Sequence, residues 1–256
     1  MVAFGRLTHP GKSIVAEISK TKNLGFDYVE IGIEMPAFLT YNKYSILKSL
    51  RKFKNPPVGH TTWWYDLGSI FESVKLGWVE QAKNDMMTAN LLGIKLLNFH
   101  FLVLSKFLLL NKKSMKIISE NYVKSLKELS GFAKEKNITI MLENGEEKFE
   151  YYKYVLDRVP AVKVHLDIGH AFISGGMNNI ERFIYYFRNR IEHIHIHDNH
   201  GKTDEHLALG KGNINWKKVV NMLKKTKYDK TITFEVFKTD KDLIRSREYF
   251  RRLWWS

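Results

Sequence analysis

Eight short apolar runs recur along the chain, and an amphipathic stretch follows each of them. The runs are Val2–Phe4, Tyr28–Ile33, Val58–Thr61, Lys95–His100, Thr139–Glu143, Val162–Asp167, His193–His197 and Ile232–Val236. After them come Ser13–Leu24, Lys43–Phe53, Glu72–Leu92, Ser114–Lys136, Glu147–Val159, Ile180–Asn189, Trp216–Thr226 and Lys241–Leu253, each with helical spacing. A strand that must wait for a helical crossover before its next partner pairs in parallel. Eight such units close into a ring, so the predicted fold is α/β, a (β/α)8 TIM barrel, with a doubly wound open sheet as the other arrangement the alternation permits. No linker or low-complexity tract interrupts the pattern, and residues 1–256 are expected to form a single barrel domain.

Within this pattern the segment His193–Gly201, HIHIHDNHG, stands apart, because it holds four of the chain's 10 histidines. Successive side chains leave opposite faces of a strand, so His193, His195 and His197 share one face and Ile194 and Ile196 the other. A lone imidazole there would be an ordinary polar face meeting solvent. Several at one strand end, running into Asp198 and Asn199, point instead to metal binding or acid–base work.

A barrel enzyme gathers its chemistry at the C-terminal ends of its strands. Six consecutive runs deliver a metal-competent residue there: His60, His100, Glu143, Asp167, His195 with His197, and Glu235. The imidazole face of HIHIHD then reads as one wall of a cup made of histidine and carboxylate. The chain has no cysteine, so thiolate nucleophiles and cysteine-bound zinc are excluded, and any metal must be held by His, Asp and Glu. Such a donor set accepts Mn, Zn, Mg or Co without choosing among them.

The formal net charge of +14 favours anionic partners, whether nucleic acid or a phosphorylated small molecule. Lysines are spread along the chain, as solvated helix faces are, rather than gathered in one stripe. No apolar run approaches the roughly 20 residues that span a bilayer, and no secretory signal opens the sequence. No membrane contact and a cytoplasmic location are expected.

The motifs LENG, HLDIGHAF, HIHIHDNHGKTDEHLALGKGNINW and TFEVF together resemble the xylose-isomerase-like and endonuclease IV TIM-barrel superfamily along nearly the whole chain. Resemblance to its sugar epimerase branch implies one divalent ion held by Glu143, Asp167, His195 and Glu235. It also implies that Glu143 and Glu235 pass a substrate proton between them, and that His170 contacts a substrate hydroxyl or carbonyl. Resemblance to the endonuclease branch implies up to three zinc ions, with His60, His100, His170, Asp204 and His206 joining those four residues. The His-x-His-Asp-Asn pattern and the short stretch before Asp204 are more similar to the isomerase-like branch, and Trp63 and Trp64 replace the endonuclease's DNA-inserting pair. A sugar or sugar phosphate isomerase or epimerase is therefore the preferred expectation, with a zinc-dependent endonuclease acting on abasic DNA as the alternative. Trp63, Trp64 and His197 are expected against the substrate.

The chemistry has its own logic. Removing a proton next to a carbonyl needs a base at the carbon and a cation at the oxygen, and two carboxylates with a divalent ion supply both. Other features read more plainly. GKGN, Gly210–Asn213, lacks the spacing of a phosphate loop and reads as a turn. Glu146 and Glu147 read as charges at a helix N-terminus. FHFLVLSKFLLL reads as core packing or a lid, and Trp254 with Trp255 as a closure on the barrel's far side.

Overall fold

The computed structural model describes residues 2–39 and 41–256. Its eight strands are β1 (Ala3–Leu7), β2 (Tyr28–Ile33), β3 (Val58–Thr61), β4 (Leu96–His100), β5 (Thr139–Glu143), β6 (Lys163–Asp167), β7 (Ile191–Ile196) and β8 (Thr231–Phe234). All pair in parallel with their chain neighbours, and β1 pairs with β8, which closes the barrel. Around it lie α1 (Ile14–Asn23), α2 (Lys43–Leu50), α3 (Glu72–Leu91), α4 (Lys106–Leu110), α5 (Lys112–Glu135), α6 (Phe149–Arg158), α7 (Ile168–Phe187), α8 (Trp216–Lys225) and α9 (Asp240–Trp255).

Outward-facing strand residues such as Val29, Ile31, Leu97, Leu142, Leu166 and Ile194 are buried against the helices, and this shell is the main hydrophobic core. The barrel interior is different. Its lower layer holds a small apolar plug of Tyr28, Val58 and Met141. Gly5 of β1 belongs here: a Cβ at Gly5 would stand 2.2 Å from the Tyr28 ring, so a side chain in β1 would exclude the ring that fills the floor. Above the plug the interior turns polar, with Glu30, His60, Asn98, Glu143, His165 and His195 all buried. The imidazole face of β7 thus meets the barrel interior, not solvent.

Two helical regions differ from the periodicity. A short α4 precedes the long α5, with Leu104, Phe107 and Leu110 at 63%, 88% and 80% exposure while Leu108 and Leu109 pack inward. Helical structure also begins directly after β6, twelve residues ahead of the expected Ile180, because the Asp167 side chain accepts the His170 backbone N–H at 2.6 Å and caps it. A kink at Gly175 and Gly176 separates this turn from the predicted helix, which is why the periodicity shows only the second part. At the other pole, Trp255 meets Phe4 of β1 edge to face at 5.6 Å, beside the N-terminal ends of the strands.

Candidate metal centre

The strands from β3 to β8 bring the expected side chains to one rim. His60 and His100 face each other through their Nε2 atoms at 3.2 Å, and His100 Nε2 stands 3.1 Å from Glu143 Oε2. On the other side, His195 Nδ1 lies 3.6 Å from Glu143 Oε1, 3.2 Å from Glu235 Oε1 and 4.0 Å from Asp167 Oδ2. The loop after β7 completes the ring: Asp204 Oδ2 is 2.8 Å from His206 Nε2 and 3.3 Å from His170 Nε2. His206 Nδ1 in turn is 3.6 Å from Glu235 Oε2. All nine side chains expected as ligands therefore form one connected cluster.

Local structure aims each of them. His170 donates from Nδ1 to the Asn144 carbonyl at 2.9 Å, and His206 from Nδ1 to the Glu235 carbonyl at 3.0 Å, which turns both Nε2 atoms toward Asp204. The loop that carries Asp204 and His206 is organised by buried Asp198, whose carboxylate accepts the backbone N–H of Gly210 at 2.7 Å and of Ile214 at 3.2 Å, and the Trp216 indole N–H at 3.0 Å. GKGN is accordingly a turn, with Gly210 at φ 82°. Gly169 leaves room for the His197 ring, which a Cβ would meet at 2.0 Å.

Electrostatics bind the cluster tightly. Burial works against a charged Glu143, yet the imidazoles of His165, His100 and His195 outweigh it and hold the carboxyl well below its usual range. Glu235 is brought down to about 2, again against burial, chiefly by His195. The imidazoles shift the opposite way: burial is overcome by Glu143 and Glu34 at His60, raised to about 10, and by Asp204 and Glu235 at His206, raised to about 9.

The donor set fits a divalent cation. Among the described residues, His195 Nδ1, Asp167 Oδ2 and His100 Nδ1, with both ring nitrogens of His197, are buried and make no hydrogen bond. Buried polar atoms are ordinarily satisfied. Here His195 Nδ1 and Asp167 Oδ2 face each other at 4.0 Å, and three groups of side chains in the cluster stand close enough to share an ion: His60, His100 and Glu143; Asp167, His170 and His197; and His197, His206 and Glu235.

Other expected residues lie nearby in different settings. Trp63 and Trp64 follow β3 and are exposed by 54% and 38%, with their rings edge to face at 5.6 Å. His197 is fully buried, with Nε2 3.2 Å from Asp167 Oδ1 and 3.4 Å from Asp204 Oδ1, among the carboxylates of the cluster. Glu147 corrects its reading as a helix charge. It is buried, turns back to accept the Gly145 N–H at 2.8 Å, and burial pushes its carboxyl up to about 8.

Four interior residues escaped the sequence reading. Asn98 donates to Glu143 Oε2, and His165 Nδ1 lies 3.3 Å from the same oxygen. Glu30 Oε2 accepts from both His193 and His195, and Glu34 from His60. The available signal was their inward phase: each stands at an even spacing along its strand from a residue that faces the interior.

The chain belongs to the xylose isomerase-like TIM barrel family, whose pattern it matches over residues 18–253. A crystal structure of a D-tagatose 3-epimerase-like protein superposes with a TM-score of 0.85 at 25% identity, covering 98% of this chain and 96% of that one. A probable endonuclease 4 of Aquifex aeolicus is 25% identical over 257 residues, covering 88% of this chain and 87% of its own length. An uncharacterized protein of Methanocaldococcus jannaschii is 37% identical over 118 residues, 44% of this chain and 45% of the relative, so that match spans less than half of the relative's length.

Proposed function

We propose that this chain is a divalent-metal-dependent isomerase or epimerase that acts on a sugar or sugar phosphate by moving a proton at a carbon next to a carbonyl. The observation that carries this reading is the placement of two buried carboxylates, Glu143 and Glu235, 3.6 Å and 3.2 Å from the same His195 nitrogen. They come from β5 and from the end of β8, so a substrate carbon between them would meet a carboxylate on either side. The likeness to a D-tagatose 3-epimerase-like protein supports the same chemistry.

Glu143, Asp167, His195 and Glu235 would hold the ion. When bound, it supplies positive charge at the substrate oxygens, where enolate charge develops. One carboxylate takes the proton from carbon, and the other returns a proton to the opposite face. Asn98, donating to Glu143 Oε2, holds that carboxylate in place and leaves Oε1 toward His195. His170 stands at the rim to donate to a substrate hydroxyl or carbonyl, and Trp63 and Trp64 offer ring faces to a sugar at the mouth. His197, fully buried with Nε2 3.2 Å from Asp167 Oδ1, stands beside the ion's carboxylates and away from the mouth.

A second reading is favoured by one observation: the five further donors, His60, His100, His170, Asp204 and His206, join the same cluster. That set suits a site for up to three zinc ions, as an endonuclease acting on abasic DNA would need.

The test is direct. Purified protein is analysed for metal per chain, then assayed with ketohexoses, ketopentoses and their phosphates in deuterated water, and with an abasic duplex. Epimerisation or isomerisation with solvent deuterium entering at the reacting carbon is expected. Glu143→Gln or Glu235→Gln should lower it by about 10²- to 10⁴-fold while the fold is retained. Abasic-site incision lost with Glu143→Gln, with no sugar turned over, would overturn this reading for the endonuclease.

A further inference from the structure

β3 to β8 and the segments that follow them carry the expected ligands, whereas β2 and the residue just past its end carry two carboxylates that reach the far side of the imidazoles. Glu30 is fully buried, and its Oε2 lies 2.9 Å from His193 Nε2 and 2.9 Å from His195 Nε2. Glu34, four residues on, has Oε1 3.1 Å from His60 Nδ1. The His60 and His195 rings stack between these carboxylates, 5.5 Å apart and 13° from parallel.

We propose that Glu30 and Glu34 are positioning residues that fix which ring nitrogen of His195 and of His60 is free to bind a cation. An ionised carboxylate only accepts hydrogen bonds. His193 Nε2 lies 2.9 Å from this acceptor, so it carries a hydrogen that points at Glu30, while its Nδ1 lies 2.7 Å from the Thr231 hydroxyl. His195 must likewise turn an N–H toward Glu30 from Nε2. Its lone pair is then on Nδ1, the atom facing Glu143, Asp167 and Glu235. By the same accounting His60 keeps its hydrogen on Nδ1, toward Glu34, and presents Nε2 to His100 and Glu143. One strand thus sets the binding face of two imidazoles from opposite sides of the cup. Carboxylates placed behind a metal-binding imidazole orient the ring and raise its basicity.

This inference rests on the metal-site reading of His195 and His60, and its test separates the two. Full-length chain labelled with nitrogen-15 and loaded with zinc is examined by long-range proton–nitrogen correlation, and zinc affinity is measured by chelator competition. In the wild type, His195 should show hydrogen on Nε2 and a zinc-shifted Nδ1, and His60 hydrogen on Nδ1. Glu30→Ala and Glu34→Ala should each lose about 10- to 100-fold in zinc affinity and show a mixed or reversed hydrogen position at the ring they face. Glu30→Gln keeps the shape and an acceptor oxygen, so it guards against a variant that fails to fold. It should retain hydrogen on Nε2 and lose about tenfold in affinity, through lost charge. Hydrogen on His195 Nδ1 in the wild type would overturn the inference, as would variants within about twofold of wild-type affinity. A wild-type protein that binds no zinc would instead remove the metal-site reading, and this inference with it.

Discussion

Asp167 serves two structures with its two oxygens. Oδ1 caps the helical turn that carries His170, while Oδ2 stands buried and unpartnered among the described residues, facing His195. Asp167→Asn keeps a capping oxygen but removes the charge, and His195→Ala removes the nitrogen shared by three carboxylates. Each should lower the metal bound per chain, read by elemental analysis after dialysis. Unchanged stoichiometry in both would exclude them from the ion's contacts. The nine candidate ligands were legible because each stands at a strand end or in a dense His/Asp motif, where position and residue type coincide. Glu30 and Glu34 were not. In YVEIGIE they read as the polar phase of an ordinary strand, and nothing local says that β7, across the barrel, lies within reach of Glu30, or that Glu34 meets a histidine of the neighbouring β3. His197 was legible as part of the site but not as buried, since alternation gives the face of a residue and not its depth.

Among the elements, β2, β3 and β5 coincide with their expected spans, because each is a compact apolar run between clear turn signals. The start of α7 was hidden by its glycines, and α4 by the apolar run around it. A different tie joins the loop after β3 to α3: Asp85 accepts the Tyr65 hydroxyl at 2.7 Å and the Gln81 amide at 2.9 Å. Burial nevertheless raises the Asp85 carboxyl to about 6. Because this folded-state value lies above the roughly 3.9 of an unfolded aspartate, the native state holds the proton more tightly. The contribution to stability is present below pH of about 4 and is lost as pH rises through about 6, at a cost of at most about 3 kcal/mol. Asp85→Asn, whose amide can still pair with Tyr65 and a flipped Gln81, should raise the thermal midpoint at pH 7.5 and bring little gain near pH 4. An equal gain at both values would show that the charge is not the cause.

At the scale of the whole molecule, closed-barrel topology was legible from rhythm alone, whereas the identity of the partner was not, because a net charge of +14 attracts DNA and small phosphates alike. Among the described residues no helix is long and apolar enough to cross a membrane. If duplex DNA is held only by this diffuse charge, binding should be weak and should fall steeply with salt, with a log–log slope of about 0.9 in magnitude per phosphate neutralised. It should also show no preference for an abasic site and no strand cleavage. Titration of labelled abasic and intact duplexes across salt concentrations checks this, and tighter binding to the abasic duplex at physiological salt would contradict it.

The pairing of β1 with β8, from Ala3 opposite Thr231 to Arg6 opposite Phe234, has a consequence for colloidal behaviour. In a closed ring every strand has a neighbour on both sides, so the native barrel offers no raw sheet border on which another chain could template itself. Concentrated protein is thereby shielded from strand-by-strand fibril growth for as long as that seam stays zipped. Unzipping it would expose two borders at once.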